Sequence, residues 1–205
     1  MANPRTLGVV LFPGFELLDV FGPLEAFGNL PDHFRVVPLA ERAGPVASFQ
    51  RPQAVAEASF AAAPRLDLLL VPGGMGTRKE VDNPVLLDFL RRRAAEAEIV
   101  TSVCTGAALL ARAGLLDGRR ATTNKRSFQW VVEQGPRVQW IPVARWVDDG
   151  KFVTSSGVSA GIDMTLHVIA RLLGPEVAET MAVRMEYTWH RDPDHDPFAR
   201  HRDLA

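Results

Sequence analysis

The sequence predicts an α/β fold, a three-layer sandwich in which helices cover both faces of a mostly parallel central sheet. The apolar runs "TLGVVLF", "FRVVPLA", "LDLLLVPGG" and "AEIVTSV" have few polar interruptions, as strands buried on both faces require. Segments of helical periodicity lie between and after them, and such alternation is the mark of a layered α/β domain. No repeat, linker or low-complexity stretch divides the 205 residues. One domain over 1–205 is expected, with a polar tail at about 186–205.

Each element has its own local reason. In "NPVLLDFLRRRAAEA", Asn83 is placed to cap a helix and Pro84 to occupy its first position, where the missing N–H costs nothing. "TGAALLARAG" is apolar around nearly its whole circumference and ends at Gly114, which predicts a buried helix with a glycine C-cap. "RWVDDGKFVTSS" reads as two strands joined at Asp149-Gly150, a hairpin signal. "GIDMTLHVIARLLG" and, from Pro175, "PEVAETMAVRMEY" are the last two helices.

Composition narrows the function classes. A net charge of -1 and a pI near 6.5 provide no pull toward phosphate backbones or anionic lipid, so neither nucleic acid nor membrane is an expected partner. A single cysteine rules out an intrachain disulfide and fits a reducing compartment. The apolar stretch Leu7 to Phe12 is too short for a signal-peptide core, and no later run is long enough for a membrane span. A cytoplasmic protein is expected.

Cys104 falls where the fourth strand gives way to a helix opening at Thr105-Gly106. Reactive groups of α/β sheets gather at such strand ends, and a sharp strand-to-helix turn exposes the residue at its apex as a nucleophile elbow. The positive end of the helix would lower the thiol pKa. An oxyanion site could draw on the Thr105 N–H and on Gly74 or Met75 in "VPGGMG". Free cysteines are also among the most buried residues, so position alone leaves nucleophile and core filler equally open.

"FPGFELLDVFGPLEAF", "LLLVPGGMG", "VTSVCTGAALLARAGLLDGRRATTN" and "SSGVSAGIDMTLHVIARLLG" resemble, in order, signature segments of the DJ-1/PfpI superfamily. That family has the class I glutamine-amidotransferase-like fold, a flavodoxin-like arrangement. The resemblance implies a catalytic Cys104 paired with an acid at Asp19, five residues after Gly14. Glu16, one helical turn earlier, is a competing carboxylate. Asp at that position and "CTG" after the strand are similar to the isocyanide hydratase branch, whose members add water to an isocyanide to give an N-substituted formamide. On that resemblance Cys104 attacks the isocyanide carbon, Asp19 protonates or orients, and Thr105 holds the acid or the intermediate. Gly73, Gly74 and Met75 would line the oxyanion site and pocket on one side, and Asn124 with Ser156, Gly157 and Val158 of "SSGVSAG" elsewhere around it. A small-molecule substrate and a homodimer are implied, with no cofactor and no metal.

Many family members have a histidine where this chain has Asn124, which hydrogen-bonds but does not shuttle protons at neutral pH. That departure disfavours amidase, protease-like or glyoxalase-type activity. The alternative from a different class is a redox or stress sensor or binding module, with Cys104 oxidised to a sulfinate. Related domains also form the N-terminal half of AraC-type regulators; with the sequence stopping at Ala205, direct DNA regulation is not expected.

Other polar residues fit blander roles. Three of the five histidines fall among the aspartates of Glu186 to Asp203, without the spacing or apolar shell of a metal site. An ordered polar tail pinned by Trp189 and Phe198 is expected instead. His167 reads as a packed core histidine and Arg91 to Arg93 as a solvated helix face. Lys125 and Arg126, near the presumed pocket, could attract an anionic substrate.

Overall fold

The computed structural model describes residues 3–202. In chain order the elements are β1 (Arg5–Val10), α1 (Leu17–Gly28), β2 (Phe34–Ala40), β3 (Gly44–Ala47), β4 (Gln53–Ala56), β5 (Ala58–Ser59), β6 (Leu68–Val71), α2 (Thr77–Glu80) and α3 (Pro84–Glu96). The second half holds β7 (Ile99–Ser102), α4 (Gly106–Arg112), β8 (Arg120–Ala121), α5 (Phe128–Gln134), β9 (Gln139–Trp140), β10 (Trp146–Asp149), β11 (Phe152–Ser155), α6 (Ala160–Leu173) and α7 (Pro175–Arg184). Seven strands form the central sheet in the order β10-β11-β7-β6-β1-β2-β5. All its pairings are parallel except β10 with β11.

The four apolar runs are four of these strands, and β6 and β7 at the centre are buried at every position. Helices cover both sides: α1 and α7 pack on α6, while α4 packs with α2, α3 and α5. The Asn83 side chain accepts from the N–H groups of Val85 and Leu86 and starts α3, with Pro84 at its first turn. Residues Gly106 to Ala111 of α4 are all buried, which is why that segment carries no polar stripe. Gly114 lies just past it at φ +76°, the left-handed conformation that glycine accepts without penalty. Asp149 pairs with Phe152 across a turn through Gly150 at φ +76°.

Two small ribbons carried no clear sequence signal: the antiparallel pair β3 and β4, and the parallel pair β8 and β9. Their strands have only four or two residues each, too few to display a period. His167 is not a packed core histidine. It is half-buried at the rim of α6, where its Nε2 lies 2.8 Å from Asp148 Oδ2 and its ring 5.7 Å from that of Trp146. An apolar helix sequence hid this because one polar residue per turn is enough to reach the edge of its buried face.

The segment after α7 is held by buried polar groups. Arg145 and Asp163, both buried, form an ion pair at 2.6 Å. The Tyr187 hydroxyl and the His190 N–H donate to Asp163 Oδ1 at 3.1 and 2.9 Å. Arg145 N–H donates to the Pro193 carbonyl and Asp196 N–H to that of Val143, both at 2.7 Å. Trp189 packs on the core, whereas Phe198 is exposed. Among the described residues no cluster of three or more His, Cys, Asp or Glu could hold a metal, and no helix is long and apolar enough to cross a membrane.

Candidate active site

The carboxyl ends of β6 and β7 deliver Gly73 and Cys104 to one point. Cys104 has φ +56°, a left-handed conformation that costs a non-glycine residue free energy and must be held by its surroundings. They do hold it. Its N–H donates to the Ser156 carbonyl at 3.1 Å, and its own carbonyl accepts from Thr123 Oγ1 at 2.8 Å. Val158, on the turn leading into α6, is likewise at φ +52°. The N–H groups of Thr105 and Val158 and the Thr105 hydroxyl act on the Cys104 sulfur and favour its thiolate.

Asp19, on the first turn of α1, is fully buried beside this elbow. Its Oδ2 accepts the Gly73 N–H at 2.8 Å, and its Oδ1 has no hydrogen-bond partner among the described residues. Burial holds its carboxyl well above the usual range; the Gly73 N–H opposes this, Glu16 reinforces it, and the Cys104 thiol opposes it. Glu16 itself is only partly buried and hydrogen-bonds Gln50. Of the two carboxylates, Asp19 is the one enclosed with the sulfur.

The Cys104 thiol is also pushed up, first by burial and then by the Asp19 charge. The sequence suggested a thiol acidified by a helix end. The structure differs because α4 has only seven residues and the sulfur is shut away from water, so desolvation outweighs the helix field. Burial thus favours the protonated form of both groups.

The glycine turn is committed to architecture. Thr105 Oγ1 accepts the Gly74 N–H at 3.0 Å, and Thr77 Oγ1 lies 3.2 Å from Thr105 Oγ1. With the Gly73 N–H on Asp19 and the Gly74 N–H on Thr105, the donors left near the sulfur are Thr105 and Val158. Met75 turns outward and is exposed. Ser156 and Val158 meet the elbow directly. Asn124 and Gly157 meet each other behind it: a Cβ on Gly157 would sit 2.1 Å from Asn124 Nδ2, and Asn124 Oδ1 accepts the Ser127 N–H at 3.0 Å.

Sequence reasoning passed over Arg78. Its guanidinium stacks 3.5 Å from the Trp130 ring centroid, donates to Ser127 Oγ at 3.1 Å, and is close enough to Cys104 for their charges to interact. Burial lowers its pKa and the Cys104 charge raises it. Nothing in "GMGTRKE" marks which of its two basic residues lies near the sulfur.

The sequence model of the DJ-1/PfpI family matches residues 5–171. The chain belongs to the DJ-1/PfpI family. An isonitrile hydratase of Pseudomonas putida is 38% identical over 182 residues, covering 88% of this chain and 78% of the relative. The HTH-type transcriptional regulator GbdR of Pseudomonas aeruginosa is 31% identical over 190 residues, covering 90% of this chain; the chain spans 51% of that regulator's length. Among solved structures, a ThiJ/PfpI family protein from Pseudomonas syringae superposes with a TM-score of 0.83 at 32% identity, covering 95% of this chain and 77% of the other. DJ-1/PfpI relatives thus include both an enzyme and transcriptional regulators.

Proposed function

We propose that this DJ-1/PfpI chain is a cysteine-dependent enzyme that hydrates a small electrophilic substrate in the manner of an isocyanide hydratase, releasing an N-substituted formamide. The observation that carries this reading is the buried Cys104 and Asp19 pair, in which burial favours the protonated form of both groups. An isocyanide carbon is neutral and must receive both a nucleophile and a proton. A thiol and an acid whose protonated forms burial favours can supply both without creating net charge in a buried site.

In the proposed sequence, Cys104 sulfur bonds the isocyanide carbon while Asp19 gives that carbon its proton and takes the thiol's. The product of the step is a thioimidate, and Asp19 ends it protonated. Water then adds to the same carbon, its second proton going to nitrogen. Collapse of the tetrahedral adduct breaks the C–S bond, and the hydroxyl proton returns to Cys104 as the formamide leaves. Thr105 and Val158 N–H groups would stabilise charge at sulfur during both transfers.

The sensor reading is less well supported by this site. Oxidation-sensitive cysteines are exposed and acidic, whereas Cys104 is 6% exposed and its thiol is pushed up. The proposal includes a cytoplasmic homodimer. Leu18 and Phe21 stand exposed on α1, an apolar face that a second copy would cover.

Product analysis tests the chemistry. Wild type incubated with an aryl isocyanide should yield the N-aryl formamide, and Cys104→Ala should yield none. Equal formamide from both proteins would refute the cysteine mechanism.

A further inference from the structure

Next to the elbow lies a cavity of about 420 Å³ whose wall includes Ser156, which accepts the Cys104 N–H, and Val158, whose N–H acts on the sulfur. Its wall also includes Asn124, Arg126 and Ser159, and the segment after α7 borders it with Phe198 and His201. That segment stays in place through the Arg145, Asp163 and Asp196 contacts of the fold, and the Phe198 N–H donates to Asp196 Oδ1 at 2.9 Å. The cavity is therefore built from three separate parts of the chain, the last of them held by a buried charge cluster.

Among the described residues the charged groups of its wall are basic. No carboxylate belongs to its wall among the described residues. Arg126 is exposed and takes part in none of the ion pairs of the described residues. Lys125 adds a second cation to the wall, its Nζ turned to Thr122 Oγ1 and the Ala144 carbonyl at 2.9 and 2.5 Å. By contrast, the larger cleft of about 970 Å³ beside β2 and β3 mixes Glu41, Glu80 and Asp82 with Arg42 and Lys79. An unpaired guanidinium beside amide and hydroxyl donors is the chemistry that recognises a carboxylate. Phe198 offers an apolar surface to the body of the same ligand.

We propose that this cavity receives the carboxylate end of the substrate, so that the physiological substrate is a small carboxylate-bearing isocyanide whose reactive carbon reaches past Val158 to Cys104. The inference rests on the hydratase reading for its reactive group, but the carboxylate site stands on the cavity alone. Arg126 holds the carboxylate, with Asn124, Ser159 and His201 as further donors.

The probes are 4-isocyanobenzoate, its methyl ester, and the two corresponding formamides. By calorimetry, wild type should bind 4-formamidobenzoate at least about tenfold tighter than the neutral methyl ester, as one charge-assisted contact allows. Arg126→Gln should reduce that preference below about threefold, and Arg126→Lys should restore part of it. The ratio of kcat/KM between the two isocyanides should follow the same pattern. Equal binding of acid and ester by wild type, or a preference that survives in Arg126→Gln, would overturn the carboxylate site. Acid-selective binding with no turnover of either isocyanide would support the site and sink the hydratase chemistry, so the two failures are separable.

Discussion

Gly73 donates its backbone N–H to Asp19 Oδ2 at 2.8 Å while its Cα rests against the cysteine elbow. One residue thus fixes the acid and leaves room for the nucleophile. A Cβ there would lie 2.5 Å from the Thr105 nitrogen and 2.9 Å from the Cys104 Cβ, and neither atom sits on a flexible side-chain end. Gly73→Ala should therefore cost about 1–3 kcal/mol by overpacking. A displacement near 1 Å at the elbow should cost turnover about 100-fold. Urea unfolding and formamide production would check both effects, and a stable, fully active variant would refute the fit described.

Asp19→Asn separates stability from chemistry. The amide oxygen still accepts the Gly73 N–H, so the turn keeps its tie. The folded carboxyl titrates well above its unfolded value, so the stability Asp19 contributes is complete below about pH 4 and declines as pH rises toward the folded value. Asparagine has no such decline. The melting temperature of the variant relative to wild type should rise from pH 4 to pH 7, while turnover falls about 10²–10⁴-fold through loss of the acid. A stability difference independent of pH would show that Asp19 ionises normally in the fold.

Arg78 lies close enough to Cys104 for their charges to interact. Replacing it with glutamine should raise the Cys104 thiol further and shift the pH profile of iodoacetamide alkylation to higher pH. At a fixed pH near 8 the rate should fall about three- to tenfold. Arg78→Lys should retain most of the rate. A purely structural role, through stacking on Trp130 at 3.5 Å, would lower stability without moving that profile.

Much of this was legible in the sequence, for physical reasons specific to each segment. The four apolar runs could be seen because β1, β2, β6 and β7 are interior strands, and Asn83-Pro84 announced α3 because capping is local. The partnership of Cys104 with Asp19 is a contact between the end of β7 and the start of α1; the family resemblance, not any spacing, brought the two together. Three features left no trace. The thiol's environment depends on enclosure, which no local pattern encodes. The Gly74 N–H could be known to be occupied only once Thr105 was placed against it. The buried Arg145 and Asp163 pair joins residues from separate segments, and no local pattern marks either as the other's partner.

That buried cluster makes the last prediction quantitative. Lys125 sits beside Asp196 and Arg145, and burial is the main cause that lowers its pKa to about 8. In the unfolded chain a lysine titrates near 10.4. Between pH 8 and 10 the unfolded chain therefore binds a proton that the folded protein has released, and this group's contribution to stability rises with pH. Two pH units correspond to about 2–3 kcal/mol. Cys104 acts in the opposite sense once pH exceeds the ordinary thiol value, because the folded protein keeps a proton the unfolded chain loses. The effect must therefore be read as a difference between wild type and Lys125→Met, in which the Cys104 contribution cancels. Chemical denaturation at pH 8, 9 and 10 should show wild type gaining on the variant by about 2–3 kcal/mol over the range. A difference that stays flat would mean that Lys125 keeps its charge in the fold, and that the cluster around Arg145 tolerates two cations side by side.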